Sequence, residues 1–180
     1  MTEQVRHLIG YNRIPLSILV GAFFFLLSKP SVSSLLLGLP WILLGEAIRT
    51  WSSGCLDKNK VLQTNGPYAM TRHPLYLGSA LIGVGFAMMG KNLAGGLVLV
   101  GGLALIYGAT ILEEEQFLLR CFGEDYQAYR GRVPLFLPRI SRATPSGFRW
   151  EKVFQHREQN TWWGIGAGVV LFGLKIWASG

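Results

Sequence analysis

The sequence predicts an all-α fold: a polytopic membrane helical bundle of about five transmembrane helices, with a further helical region at one membrane face. Three observations carry this. Half of the 180 residues are hydrophobic and only 15% are charged, where soluble domains average about 25%, and the mean hydropathy is +0.33. The apolar residues fall in long blocks without strand-like alternation, and helices satisfy their own backbone across lipid. Lysine and arginine are distributed asymmetrically between the connections. The formal charge of +7 is therefore read as membrane topology, and no nucleic-acid partner is expected. Cys55 and Cys121 form no metal or disulfide pattern. Residues 1–13 are polar and no small-residue cleavage site follows the first apolar run, so no cleavable signal peptide is expected.

The first apolar block, 14–28, is short for a span, with Lys29 placed to snorkel. The second, 32–52, carries Glu46 and Arg49 in its last turns, three apart and on one helical face. Charges at that depth face a cavity or each other, so a mutual ion pair and a site role both stand. Residues 53–71 form a polar connection with Lys58, Lys60 and an Asn65-Gly66-Pro67 turn. The third span, 75–89, is rich in glycines that permit close helix contact: Gly78, Gly83 and Gly85. Gly90-Lys91-Asn92 is a tight turn into the fourth span, 93–112, and these two spans predict an antiparallel hairpin. The chain then turns acidic at Glu113-Glu114-Glu115, runs as a helix to about Phe122, stops at Gly123, and resumes as a short helix over 124–132. Residues 133–138 read as extended and 139–147 as a basic linker. The mixture of aromatic and basic residues over 148–158 predicts an interfacial amphipathic helix. The last span, 161–178, is flanked by Trp162, Trp163 and Trp177, an aromatic belt at both ends.

With the N-terminus inside, the outer connections hold only Lys29, Lys91 and Lys175, and every other Lys and Arg falls on the inner side. That topology puts Arg72-His73, at the entrance of the third span, and the Glu113–Glu115 run, at the exit of the fourth, at the same cytoplasmic face.

The stretch 66–78 is the chemical centre of the chain. Pro74 suits the first position of a helix, His73 its N-cap, and a helix start beside Arg72 suits an anionic group. Set against Glu114 and Glu115 and ringed by Tyr68, Tyr76, Tyr126 and Tyr129, it suits a zwitterion: carboxylate to the Arg or the helix start, ammonium to a Glu. A sulfonium against a tyrosine face gains about 0.5–2 kcal/mol. S-adenosylmethionine has all three features. The plainer reading is membrane-surface anchors and a solvated acidic helix start.

The order of these pieces decides more. Gly66-Pro67-Tyr68, Arg72-His73-Pro74-Leu75-Tyr76-Leu77-Gly78, Glu114-Glu115, Phe122-Gly123-Glu124-Asp125-Tyr126-Gln127-Ala128-Tyr129, Val133-Pro134 and Pro138 together resemble the isoprenylcysteine carboxyl methyltransferase and phospholipid N-methyltransferase superfamily, over roughly residues 45–138. The resemblance implies S-adenosylmethionine as cofactor, held by Tyr68, Arg72, His73, Tyr76, Gly78, Glu114 and Glu115, with Gln63 in the loop before the motif. It implies methyl transfer to a lipophilic or lipid-like acceptor (carboxylate, amine or thiol) at the cytoplasmic face of a bacterial-type membrane. Arg49 is the expected acceptor-orienting cation, and His73 or Glu46 the base that an amine or thiol acceptor needs. The chain departs from the carboxyl methyltransferases at Thr110-Ile111, where many of them carry an Arg, and it adds a linker and a fifth span.

As one domain, the chain divides into an N-terminal helical hairpin (1–53), a cofactor-binding core (54–138), an interfacial linker (139–160) and a C-terminal transmembrane helix (161–180). Two other functions stay open: a membrane reductase using a nicotinamide cofactor, as in sterol reductases with a related core, and a non-catalytic membrane scaffold. The chain lacks a GxGxxG dinucleotide fingerprint.

Overall fold

A computed structural model describes residues 12–57, 61–139 and 147–179. The N-terminal residues 1–11, the Lys58 and Lys60 pair and linker residues 140–146 lie outside the described residues. The described residues are helical, without strands: α1 (Arg13–Leu27), α2 (Val32–Cys55), a 3₁₀ turn (Gly66–Ala69), α3 (Pro74–Met89), α4 (Leu93–Arg132), α5 (Trp150–Gln155) and α6 (Gln159–Ser179). By length and composition α2, α4 and α6 are able to cross a membrane, while α1 and α3 are apolar but shorter. The 16 residues of α3 span ~24 Å at 1.5 Å per residue, against a hydrocarbon core of ~30 Å.

Ser31 and Ser34 start α2 with a reciprocal capping box, and Ser34 Oγ also donates to Met89 O at the end of α3. On the same side of the bundle, Asn92 caps α4 by accepting from Gly95 N and donates to Leu27 O, and Lys29 N donates to Gly90 O. The two turns at that end are thus tied together. Below them Phe24, Ile42, Met89, Leu99 and Phe172 form the core, drawn from all five apolar helices.

The pairing of α2 with α3 is a backbone contact. A Cβ at Gly45 would lie 2.5 Å from Gly78 O, and one at Gly78 would lie 2.5 Å from Gly45 O; Gly38 meets Gly85 in the same way one layer away. Small residues let two helices approach to this distance, where packing substitutes for the absent hydrophobic drive in lipid.

The expected hairpin of α3 and α4 is present, but the fourth span and the acidic helix are one continuous element. Up to the break at Gly123, residues 93–122 of this element measure ~45 Å, half again the hydrocarbon thickness of ~30 Å. Its uncharged first half crosses and its second half projects beyond. Gly123, the expected stop, adopts φ 50°, ψ −121°, and the helix resumes at once. The break redirects the last nine residues so that Tyr126 and Tyr129 are buried.

One expectation is corrected. The interfacial amphipathic helix over 148–158 is a six-residue helix, α5, docked on the end of α2. Phe148 packs on Gly54, Arg149 N donates to Gly54 O, and the buried Lys152 donates to Asp57 at 2.7 Å. A buried ammonium needs a partner, and Asp57 draws this turn onto α2 while Trp150 and Phe154 stay exposed. Of the two readings open for Glu46 and Arg49, the ion pair is present at 4.0 Å, and Arg49 also pairs with Glu158 at 2.7 Å.

Candidate functional site

Residues 66–73 are fixed from one side by the far half of α4 and the strap that follows it. Tyr129 Oη donates to Tyr68 O at 2.7 Å. Arg72 N donates to Pro134 O, Arg139 N to Met70 O, and Thr71 Oγ1 to Leu135 O and Phe136 O. A loop whose backbone is satisfied this way holds its side chains in place without help from solvent. His73 is the N-cap of α3 by backbone position, but its side chain makes no cap hydrogen bond. The ring points to α4.

There Glu115 is the hub. Arg72 Nη1 lies 2.6 Å from both carboxylate oxygens, His73 Nε2 3.1 Å from Oε1, and Tyr126 Oη donates to Oε1 at 2.5 Å. Arg130 Nε adds a longer contact of 3.6 Å. Both members of the Arg72–Glu115 pair are about 10% exposed, so each charge is stable there because of the other. The sequence suggested that Arg72 and the glutamates would each meet one charge of a ligand; instead Arg72 and Glu115 meet each other. Glu114 is different. Its side chain is 44% exposed, accepts from Tyr76 Oη at 2.8 Å and lies 3.7 Å from His73 Nδ1. Tyr76 in turn stacks at a tilt on Tyr107.

Two donors in this neighbourhood are buried and have no hydrogen-bond partner among the described residues: the Tyr68 hydroxyl and Arg72 Nε. Burial, with the nearby Glu114 charge, pushes the Tyr68 phenol far above its ordinary range, so it stands as a neutral donor. Leaving such groups unmade costs ~1–3 kcal/mol each.

The other sequence-selected residues fall elsewhere. Gly78 faces α2 and its missing side chain is used by helix packing. Gln63 is half-buried in the segment before the 3₁₀ turn. That segment and the far half of α4 flank an open cleft of about 450 Å³, lined in part by Leu62, Asp125 and Tyr129. Glu46 and Arg49 belong to a second polar cluster, between α2, the start of α3 and the entrance of α6. Arg49 contacts Glu158, Ser79, Thr161 and Leu75 O, Thr50 donates to Glu46, and Trp162 Nε1 donates to Thr50. Sequence reasoning did not select Tyr126, Ser79 or Glu158 as site residues. Tyr126 was visible as part of the tyrosine ring. Glu158, 109 positions from its partner, left no local signal.

The arrangement is thus a charged hub beside an accessible carboxylate, with two orphan donors, at one end of two apolar helices. A family model described as phospholipid methyltransferase matches residues 33–125, from the start of α2 into the far half of α4. The chain belongs to the phospholipid methyltransferase family. Similar proteins include the cobalt-zinc-cadmium resistance protein CzcN of Cupriavidus metallidurans, 34% identical over 175 residues, covering 92% of this chain and 81% of that protein. The nickel-cobalt-cadmium resistance protein NccN of Alcaligenes xylosoxydans xylosoxydans is 29% identical over 95% of this chain and 84% of its own. The protein-S-isoprenylcysteine O-methyltransferase of Schizosaccharomyces pombe is 34% identical over 84 residues, 47% of this chain and 36% of that protein. No solved structure matches the chain. The family and these relatives indicate an integral-membrane methyltransferase, and the resemblance read from the motifs holds.

Proposed function

We propose that the protein transfers a methyl group from S-adenosyl-L-methionine to a lipophilic or lipid-like acceptor. In this reading the cofactor arrives from the cytoplasm and the acceptor from the bilayer. The observation that carries the reading is the donor set: the Tyr68 hydroxyl and Arg72 Nε, buried without partners, beside the half-exposed Glu114 carboxylate. Two donors and one carboxylate complement the carboxylate and ammonium of an amino-acid head group, so the residues present fit the cofactor. When bound, it supplies an electrophilic methyl on a sulfonium sulfur. The chain supplies alignment, with a ceiling of ~7–11 kcal/mol for ideal positioning.

Glu114 holds the ammonium, oriented by Tyr76, and Tyr68 and Arg72 Nε hold the carboxylate. Glu115 keeps Arg72 and His73 in place. Glu46 and Arg49 line the acceptor side, and Glu46 or His73 takes the proton from an acceptor that carries one. Gly78 serves the site by letting α3 lie against α2. Calorimetric titration of the purified protein in detergent tests this. S-adenosylmethionine or its demethylated product should bind and NADPH should not; binding of the nucleotide alone overturns the reading.

A further inference from the structure

A guanidinium carries five N–H groups on three nitrogens, and in Arg49 all three nitrogens are engaged. Nε donates to Glu158 Oε1 at 2.7 Å. Nη2 reaches the same oxygen at 2.7 Å and Thr161 Oγ1 at 3.2 Å. Nη1 donates to Ser79 Oγ and to Leu75 O at 3.4 Å. The side chain of Glu158 is 6% exposed, and its position is set by the docking of the segment before it. Lys152 is paired with Asp57, His156 Nδ1 lies 3.1 Å from Ser53 O, and Trp162 is bonded to Thr50. This segment lies beyond the 33–125 stretch that the family model matches.

What the cluster has in excess is acceptors. Glu46 Oε2 is buried without a hydrogen-bond partner among the described residues, and Glu46 and Glu158 together place two carboxylates around one guanidinium. An entering carboxylate would have to displace Glu158 and would meet the field of Glu46. A group bearing N–H, O–H or S–H would find a waiting acceptor.

We propose that Glu158 is a specificity-determining residue: a built-in carboxylate that engages Arg49 and closes the acceptor side to carboxylate substrates. The proposal rests on the reading that Arg49 and Glu46 line the acceptor side.

The probe is N-acetyl-S-farnesylcysteine, offered to the full-length protein in detergent both as the free carboxylate and as its methyl ester. The ratio of the two affinities cancels the farnesyl contribution. Wild type should show no preference for the carboxylate. Glu158→Ala should prefer it about tenfold or more, as expected when a desolvated charge loses its partner, and adding Arg49→Met should abolish the gain. Glu158→Gln, which keeps the shape and loses the charge, should shift the same way by less; it decides the matter if the alanine variant is not monodisperse. A carboxylate preference already present in wild type overturns the proposal. So does an unchanged ratio in the Glu158 variants, or a failure of both Glu158→Ala and Glu158→Gln to bind the carboxylate. Cofactor titrations on the same samples read the methyl-transfer reading separately: its failure with the ratio shift intact removes that reading and leaves Glu158 as the gate on Arg49.

Discussion

At the scale of single residues, the charged hub and the orphan donors call for different experiments. Arg72 and Glu115 hold each other in a nearly dry site. Removing one partner of such a pair strands the other at a cost of ~3–5 kcal/mol. Arg72→Ala or Glu115→Ala therefore lowers stability whatever else it does, and a loss of ligand binding in those variants is ambiguous. Tyr68→Phe is cleaner. The hydroxyl it removes is buried and has no partner among the described residues, while the Tyr129 bond to this residue goes to the Tyr68 carbonyl and survives. The thermal midpoint should stay within a degree or two of wild type or rise, because an unsatisfied polar group is gone. Cofactor affinity should fall by the value of one buried donor, ~1–3 kcal/mol. Calorimetry beside a melting curve reads both, and wild-type affinity in Tyr68→Phe removes this residue from the proposed site.

At the scale of elements, the contact of α2 with α3 sets where the site residues stand. Gly78 was selected from the motif as a cofactor residue, yet a Cβ there meets Gly45 O at 2.5 Å and the Arg49 side chain. Gly78→Ala should overpack the helix pair and destabilise it by ~1–3 kcal/mol, seen as a lower melting temperature. Cofactor affinity per folded molecule should stay close to wild type; a large drop in affinity with an unchanged melting temperature would return Gly78 to the binding site. The same elements show what a sequence can convey. Each apolar block became a helix that starts within a few residues of its expected start, and all but the fourth, which runs on into the acidic stretch, end near their expected ends, because block length and hydropathy are local properties. His73 as N-cap, Pro74 at the first position and Gly123 as a break are also local, and all are present. That Arg49 lies closer to Glu158 than to Glu46 was not legible, since local spacing points only to the near carboxylate. The winner depends on how residues 147–158 dock, and that docking turns on Lys152 and Asp57, far apart in the chain. The amphipathic reading of 148–158 failed for the same reason: Lys152 looked like an interfacial cation and is a buried tether.

At the scale of the whole molecule, function depends on which membrane face carries the hub. The hub, the strap 133–139 and the docked α5 all lie at one end of the bundle, and the Ser31, Lys29 and Asn92 turns lie at the other. Outside α6, the second end carries Lys29 and Lys91, while the first gathers most of the arginines, and positive residues stay on the cytoplasmic side of short connections. Lys175, near the far end of α6, is drawn to the second end by donating to Phe25 O and Leu26 O, carbonyls at the end of α1 that a helix terminus leaves open. The chain supplies its own reporter for this topology. Cys121 is exposed on the projecting half of α4, whereas Cys55 is buried. A membrane-impermeant maleimide should leave Cys121 unlabelled in intact cells and label it after permeabilisation. In a Cys121→Ser background, Lys91→Cys, at the exposed turn between α3 and α4, should show the reverse: labelling in intact cells without permeabilisation. Labelling of Cys121 from outside would invert the bundle. It would put Glu114 and Tyr68 out of reach of a cytosolic cofactor even if every distance in the site were correct.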